Sequence, residues 1–399
     1  MSEPVPATTD AEVVERLPSA GEVFGYFFYL GFVNVGGPVA QITMMFNYMV
    51  ERAHWLSKDR FTNIMAFCHM LPGPEALQLA IYVGYLKRGI VGGILAGLTF
   101  IIPGAAVMIV LSYLYVAYGN LPQVNDVLFI LKPAVLGIIA AGIIKLGQAA
   151  IKNAFLAALM VLSIIALVLG VDFLFVLLAA GLIHTLYAEG LPRLRRLPTI
   201  APLMLGGMAV QALGESRWLE MAWLFLKTGL FSFGGAYASL VFLQRGAVDD
   251  YHWLSSSQLL DGVALSVATP GPFMLFTTFA GYLAGGLPGA LLATFFVFLP
   301  SFVLVLGGAR YMEQVRHNKP VQAFLAGASA AVVGVILVVS LALIPDALTR
   351  AGALSLPSVL IALAAFLAII IRRVDVARVA IVAMALGLLY AAVHSLWLR

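Results

Sequence analysis

Charge is what this chain has least of. Of its 399 residues, 11% are Asp, Glu, Lys or Arg, less than half the share of about 25% found in soluble domains. It has a single cysteine, Cys68, which excludes an internal disulfide and any cysteine-based metal cluster. It also lacks a P-loop, an H-E-x-x-H pair and any grouped His/Asp/Glu set suited to a metal. A nucleotide-driven pump, an enzyme, a cofactor and a nucleic-acid partner are therefore not expected. The first 22 residues are acidic (Glu3, Asp10, Glu12, Glu15, Glu22), with Arg16 their only basic residue. They do not form the basic opening of a secretory signal and read as a disordered tail.

What the chain has is hydrophobicity: 62% apolar residues and a mean hydropathy of +1.00. Apolar segments fall at 24–49, 62–86, 90–118, 127–146, 153–170 and 172–188, and again at 221–246, 258–283, 287–311, 321–344, 356–371 and 376–397. Many are long enough for a hydrocarbon core of ~30 Å. Only helices or closed barrels satisfy their backbone in lipid, and runs this long are not barrel strands. The expected class is an all-α polytopic protein of the cell membrane, with the lipid bilayer as its solvent.

The two sets of segments are copies. His54-Trp55-Leu56-Ser57 recurs as His252-Trp253-Leu254-Ser255, a shift of 198 residues. Gly36-Gly37 recurs as Gly234-Gly235 and Pro72-Gly73-Pro74 as Pro270-Gly271-Pro272, both at the same shift. Beyond them the offset becomes 197: Gly84-Tyr85-Leu86 with Gly281-Tyr282-Leu283, Pro103 with Pro300, and Gly137 with Gly334. This is a duplication. It divides the chain into a tail (1–22), a first repeat (23–190), a linker (191–220) holding Arg193, Arg195, Arg196 and a short apolar stretch, and a second repeat (221–399).

Each Pro-Gly-Pro sits mid-segment, where proline removes a helical hydrogen bond and glycine frees the backbone. Neither half of such a segment, at ~12 residues, spans a bilayer. Re-entrant hairpins are the expected form, with a kinked but complete crossing as the alternative. Gly36-Gly37-Pro38 should break the first helix likewise. Lys and Arg accumulate on the cytoplasmic side. With Lys227 set aside as intramembrane, twelve crossings divide these charges 11 to 11, and thirteen divide them 15 to 7. Ten crossings with re-entrant Pro-Gly-Pro segments divide them 17 to 5. Ten is therefore expected, with both termini outside and the halves in inverted orientation. Inverted repeats with broken helices are typical of secondary transporters.

Several residues are candidates for substrate contact. Lys227 lies inside an apolar helix, where a cation is functional by default unless it snorkels. Glu75 follows Pro74 at a presumed tip; it could carry a coupling proton, or compensate the dipole of the helix that begins there. Gln78 could donate to an anion or bridge helices. The breaks themselves (Gly36, Gly37, Pro38, Pro72, Gly73, Pro74, Gly234, Gly235, Pro270, Gly271, Pro272) expose helix N-termini suited to an anion. Asp59 and Asp261, near helix starts, read as caps rather than ligands, and Ser57 and Ser255 as helix caps; His69 reads as a packed or hydrogen-bonded residue, and Trp55 and Trp253 as interfacial anchors. The glycines at 92, 93, 97, 285, 286 and 289 read as close-packing positions. Cys68 is expected to line a cytoplasmic vestibule. A homodimer is left open.

The G-G-P at 36–38, L-P-G-P-E-A at 71–76, S-F-G-G-A-Y at 232–237 and T-P-G-P at 269–272 resemble the two-domain chromate ion transporters. The resemblance covers roughly 24–146 and 221–340 and continues more weakly in each half. It implies efflux of chromate, a trait that confers chromate resistance, with sulfate as the natural mimic. Where members commonly carry charge, this chain has Tyr29, Phe46, Asn47 and Val267, while Lys227 keeps the basic position of the second repeat. A member carrying a different small anion or solute, or an anion channel, is the alternative.

Overall fold

The computed structural model describes residues 15–34, 38–190, 216–232, 237–311, 318–350 and 352–397. Gly36-Gly37, Gly234-Gly235 and the arginine-bearing linker lie outside these. Helices dominate. The first repeat contains α1 (Ala20–Val33), α2 (Pro38–Phe46) running on into a wider π turn, α3 (Lys58–Met70), α4 (Glu75–Tyr118), α5 (Pro122–Ala150), α6 (Ala154–Val168) and α7 (Phe173–Glu189). The second contains α8 (Arg217–Leu230), α9 (Ala238–Phe242) with its own π turn, α10 (Ser256–Ala268), α11 (Phe276–Gly308), α12 (Lys319–Ala342), a short α13 (Ile344–Leu348), α14 (Leu356–Ile370) and α15 (Val376–Trp397). Polar residues at the boundaries start these helices: Ser19, Ser57, Asn153, Asp172, Ser255, Asn318 and Ser355 each accept a first-turn N–H. Within the stretch assigned to the tail, Ser19 and Glu22 form a capping box on α1.

The backbone repeats where the sequence does. His54 and His252 both adopt positive φ, at 51° and 50°, and each turns its Nδ1 back to the carbonyl of a valine four residues earlier. Gly73 and Gly271 share φ of 118° and 108°; Gly89 and Gly286 share 65° and 63°. These left-handed conformations favour glycine at the last two pairs.

The 44-residue α4 is not one rod. Its dihedrals leave the helical region at Arg88 and Gly89, and the chain doubles back there. A Cβ placed on Gly84 would lie 2.3 Å from the Gly92 carbonyl oxygen, and one on Gly93 3.0 Å from that of Ile81. Residues eight apart on a straight helix are about 12 Å apart. Residues 75–87 therefore return antiparallel against 90–118, and the glycines let the two backbones touch. In the second repeat, Gly281 meets Gly289 in the same way across Gly285-Gly286.

The Pro-Gly-Pro segments are hairpins as well. Arg60 at the start of α3 and Lys87 at the end of the returning helix both reach the Glu15 carboxylate, at 2.7 and 2.9 Å. The two outer ends of the hairpin thus lie side by side, with Pro72-Gly73-Pro74 at the far tip. Each arm, 13 residues, is about 20 Å long, short of the bilayer core.

The two repeats interlock. The segment 90–118 packs antiparallel against its own equivalent in α11, with Gly93 beside Leu306 and Gly97 beside Phe302. Gly137 of α5 abuts the Ala362 carbonyl on α14, while its copy Gly334 of α12 abuts the Met160 carbonyl on α6. The long central helix of each half thus packs on the closing helix pair of the other. Among the described residues, five helices are long and apolar enough to cross a membrane, and four shorter apolar helices accompany them. Large side chains such as Leu169, Val168 and Phe175 face outward, as a lipid environment requires.

Trp55 is not the interfacial anchor expected of it. It is fully buried, edge-on to Tyr26 and Tyr48, while Trp253 is half-buried and stacked on Tyr251 at 4.6 Å. Cys68 is buried too, so it lines no open vestibule.

Candidate functional site at the crossed Pro-Gly-Pro tips

The two tips meet the broken helices of the opposite repeats. Gly73 N–H donates to the Ser232 carbonyl at 3.1 Å, and Gly271 N–H donates to the Asn34 carbonyl at 2.8 Å. Ser232 is the copy of Asn34, and Gly271 the copy of Gly73. Such reciprocity is the signature of a two-fold relation between like surfaces. The positions flanking the tips follow the same relation: Gly271 lies against Gly104, and Gly73 lies against Ser301, the copy of Gly104.

Side chains around this crossing are polar, buried and incompletely used. Gln41 Nε2 donates to the Gly271 carbonyl at 3.3 Å, and Gln78 Nε2 to that of Pro72 at 2.6 Å. Asn34 is fully buried, yet both of its amide atoms lack a partner; Gln78 Oε1 and Ser301 Oγ lack one as well. An unpaired buried polar group costs roughly 1–3 kcal/mol, and such groups in a native fold call for an explanation. A ligand that bonds to them is one. Asn34 Nδ2 and Ser301 Oγ–H are donors, and the first N–H groups of α4 add a helix N-terminus close by.

The first tip carries the acid–base pair. Glu75 opens α4, and its Oε2 lies 2.8 Å from His69 Nδ1 across the turn. Glu75 is placed where an acid offsets the helix dipole, and His69 is hydrogen-bonded as expected. The second tip is apolar by comparison: Pro272 leads into a 3₁₀ turn, Phe273–Leu275, before α11 begins.

Lys227 stands apart from this crossing. Gly229, two residues on, faces Gly73 and Val297, so Lys227 points to another side of α8. It half-emerges into a cavity of about 60 Å³ lined by Asp172, Arg245 and Asp250, with Trp223 beneath its ammonium at 5.5 Å. Its copy, Tyr29, is exposed. Position 29 therefore lies on an outer face. Pro38 opens α2.

Asp261 is not a cap. Ser255 caps α10 through a box with Gln258, and Asp261 is buried inside the helix against Lys132 of α5 and Tyr115 of α4. Asn34, Ser301, Ser232 and Gln41 were not singled out by sequence. The one available signal was Asn34, a polar residue closing an apolar run two before the glycine pair, with Ser232 at the same place in the copy. A cavity of about 690 Å³ between 94–109 and 291–307 is walled by residues such as Ile101, Phe298 and Phe302. Its lining offers an anion almost nothing.

Duplicated halves, helices broken at proline and glycine, and orphaned donors where the halves cross are features of a membrane transporter. Residues 21–185 and 219–390 each match the chromate transporter family, and the chain belongs to that family. A chromate transport protein of Pseudomonas aeruginosa is 35% identical over 83% of this chain and 82% of its own length. A second, from Cupriavidus metallidurans, is 33% identical over 83% and 84%. A probable chromate transport protein of Synechococcus elongatus is 33% identical over 78% and 81%. No solved structure matches the chain. Family membership and the apolar helices make this a multi-pass protein of the cell membrane.

Proposed function

We propose that this chain is a secondary transporter that exports chromate or a related tetrahedral oxyanion such as sulfate. The anion binds where the two Pro-Gly-Pro tips cross, and the halves span the membrane in opposite senses. One observation carries the reading: the reciprocal Gly73–Ser232 and Gly271–Asn34 bonds surround buried, unpartnered donors on Asn34 and Ser301. The antiparallel packing of 90–118 on its own copy supports inversion, since equivalent crossing helices run the same way in parallel repeats. Relatives named as chromate transport proteins support the choice of anion.

The test is uptake into proteoliposomes holding purified protein, with chromate, sulfate and a panel of competing anions under an imposed pH gradient. Saturable uptake that chromate and sulfate inhibit mutually, and that a gradient drives uphill, is the expected result. Flux that never saturates and never runs uphill would make the protein a channel. Uptake that responds to monoanions alone would move the substrate to another class.

A further inference from the structure

The one buried carboxylate that ties the second hairpin to the first repeat does not touch the anion site. Asp261 sits nearly two turns into α10, nine residues before Pro270. Its Oδ2 accepts from the Tyr115 hydroxyl at 2.8 Å. Its Oδ1 lies 2.9 Å from Lys132 Nζ, close enough to pair in charge, yet that oxygen receives no aligned hydrogen bond. The Lys132 ammonium, with three N–H donors, also bonds to Ser257 Oγ at 2.8 Å. Asp261 is thus a buried carboxylate held by one hydrogen bond and one ion pair, both from the first repeat.

From this geometry we propose that Asp261 is a proton-binding site, and that its protonation couples movement of the second Pro-Gly-Pro hairpin to transport. The inference rests on the transport reading above. A proton added to Oδ1 gives a neutral acid and breaks the ion pair with Lys132, while the Tyr115 contact on Oδ2 can persist and Lys132 keeps Ser257. A buried ion pair that loses one charge leaves the other uncompensated, which is strongly unfavourable. The strain falls on the joint between α10 and the helices α4 and α5, which belong to the other repeat. Asp346 of α13 brings a charge of the same sign near Asp261.

The cluster exists on one side only. The copy of Asp261 is Asn63, and that of Lys132 is Ser329, so the first hairpin has no matching pair. Coupling through a single hairpin gives one titration per cycle.

The test uses the full-length protein in proteoliposomes and Asp261→Asn, which keeps shape and removes the titrating group. Chromate counterflow, which needs no gradient, reports the anion site. Accumulation driven by a pH gradient reports coupling. Wild type should do both. Asp261→Asn should retain counterflow within about threefold while its gradient-driven accumulation falls by about tenfold per pH unit imposed. The double variant Asp261→Asn/Lys132→Gln removes the orphaned ammonium and guards against misfolding; it should behave as Asp261→Asn does. Infrared difference spectra of the purified protein, taken without substrate, should show a protonated-carboxyl carbonyl band on acidification that Asp261→Asn lacks. Gradient-driven accumulation intact in either variant, or a band unchanged by Asp261→Asn, overturns the proposal. Absent counterflow in wild type refutes the anion reading instead, and the infrared result still decides whether Asp261 takes up a proton.

Discussion

The two repeats share a backbone and differ in chemistry. At 54 and 252, 73 and 271, and 89 and 286, the dihedrals agree within about ten degrees, so duplication has preserved every turn that shapes the hairpins. The side chains at the tips have diverged. The first tip carries His69, Glu75 and Gln78; the second offers Val267, Phe273 and Phe276 at the corresponding places. Asn34 leaves its amide free, whereas the hydroxyl of its copy, Ser232, is already bonded to the Thr228 carbonyl. A two-fold scaffold thus surrounds a one-sided site. Symmetry fixes the architecture, and the candidate site lies in the departures from it.

The shared part of this comparison should be the most fragile. Gly84→Val and Gly281→Val each push a branched side chain into a carbonyl 2.3–2.5 Å from the new Cβ, where backbone has no room to yield. Overpacking of this kind costs roughly 3 kcal/mol, a large part of a marginal total. Both variants should lose the monodisperse peak on size exclusion, and to the same degree. A clear difference between them would break the equivalence of the hairpins.

The diverged part should separate the copies. Asn34→Leu removes the unpartnered amide, and Ser232→Ala removes a hydroxyl already occupied. If Asn34 bonds to a charged oxyanion, a contact worth about 1.5–3 kcal/mol, its loss weakens chromate binding about tenfold to a hundredfold. Ser232→Ala should change binding less than about threefold. Titration calorimetry on purified protein measures both, and equal effects would remove the asymmetry. Lys227→Met sharpens the contrast from outside the site. Turned toward Asp172 and Asp250 rather than the tips, it should alter affinity by no more than about threefold.

Smallest is the clamp that closes the outer end of the first hairpin. Burial opposes the charge on Glu15, but the Ser57 N–H, Lys87 and Arg60 outweigh it and hold its carboxyl below the usual range. An acid depressed in the folded state stabilises above its unfolded value, and that contribution is lost as pH falls through the folded one. Glu15→Gln should therefore lower Tm at neutral pH by a degree or so, and the gap should shrink on acidification below about pH 4.5. A gap that widens in acid would contradict the clamp.

Much of this was legible in sequence because it was written twice. The 198-residue echo of His-Trp-Leu-Ser, Gly-Gly and Pro-Gly-Pro gave the repeat, the breaks and the hairpin boundaries near 86 and 90. The pairing of Asp261 with Lys132, 129 residues away, left no local pattern. In isolation an aspartate in the second turn of a helix looks like a cap. Apolar neighbours marked Lys227 as intramembrane, but its direction depends on helix phase, which faces it away from Gly229 and the tip. Asn34 was hidden because an orphaned amide is a property of its surroundings, and those surroundings come from the other repeat.

The central claim is that identical corners of the two repeats lie on opposite sides of the membrane, with the anion site between them. Arg52 and Asp250 are copies, each exposed at the end of its π turn. In a Cys68→Ser background, Arg52→Cys and Asp250→Cys should react with a membrane-impermeant thiol reagent from opposite sides. Arg52→Cys should label in inverted vesicles, and Asp250→Cys in intact cells. Labelling of both from the same side would mean parallel halves and would contradict the account.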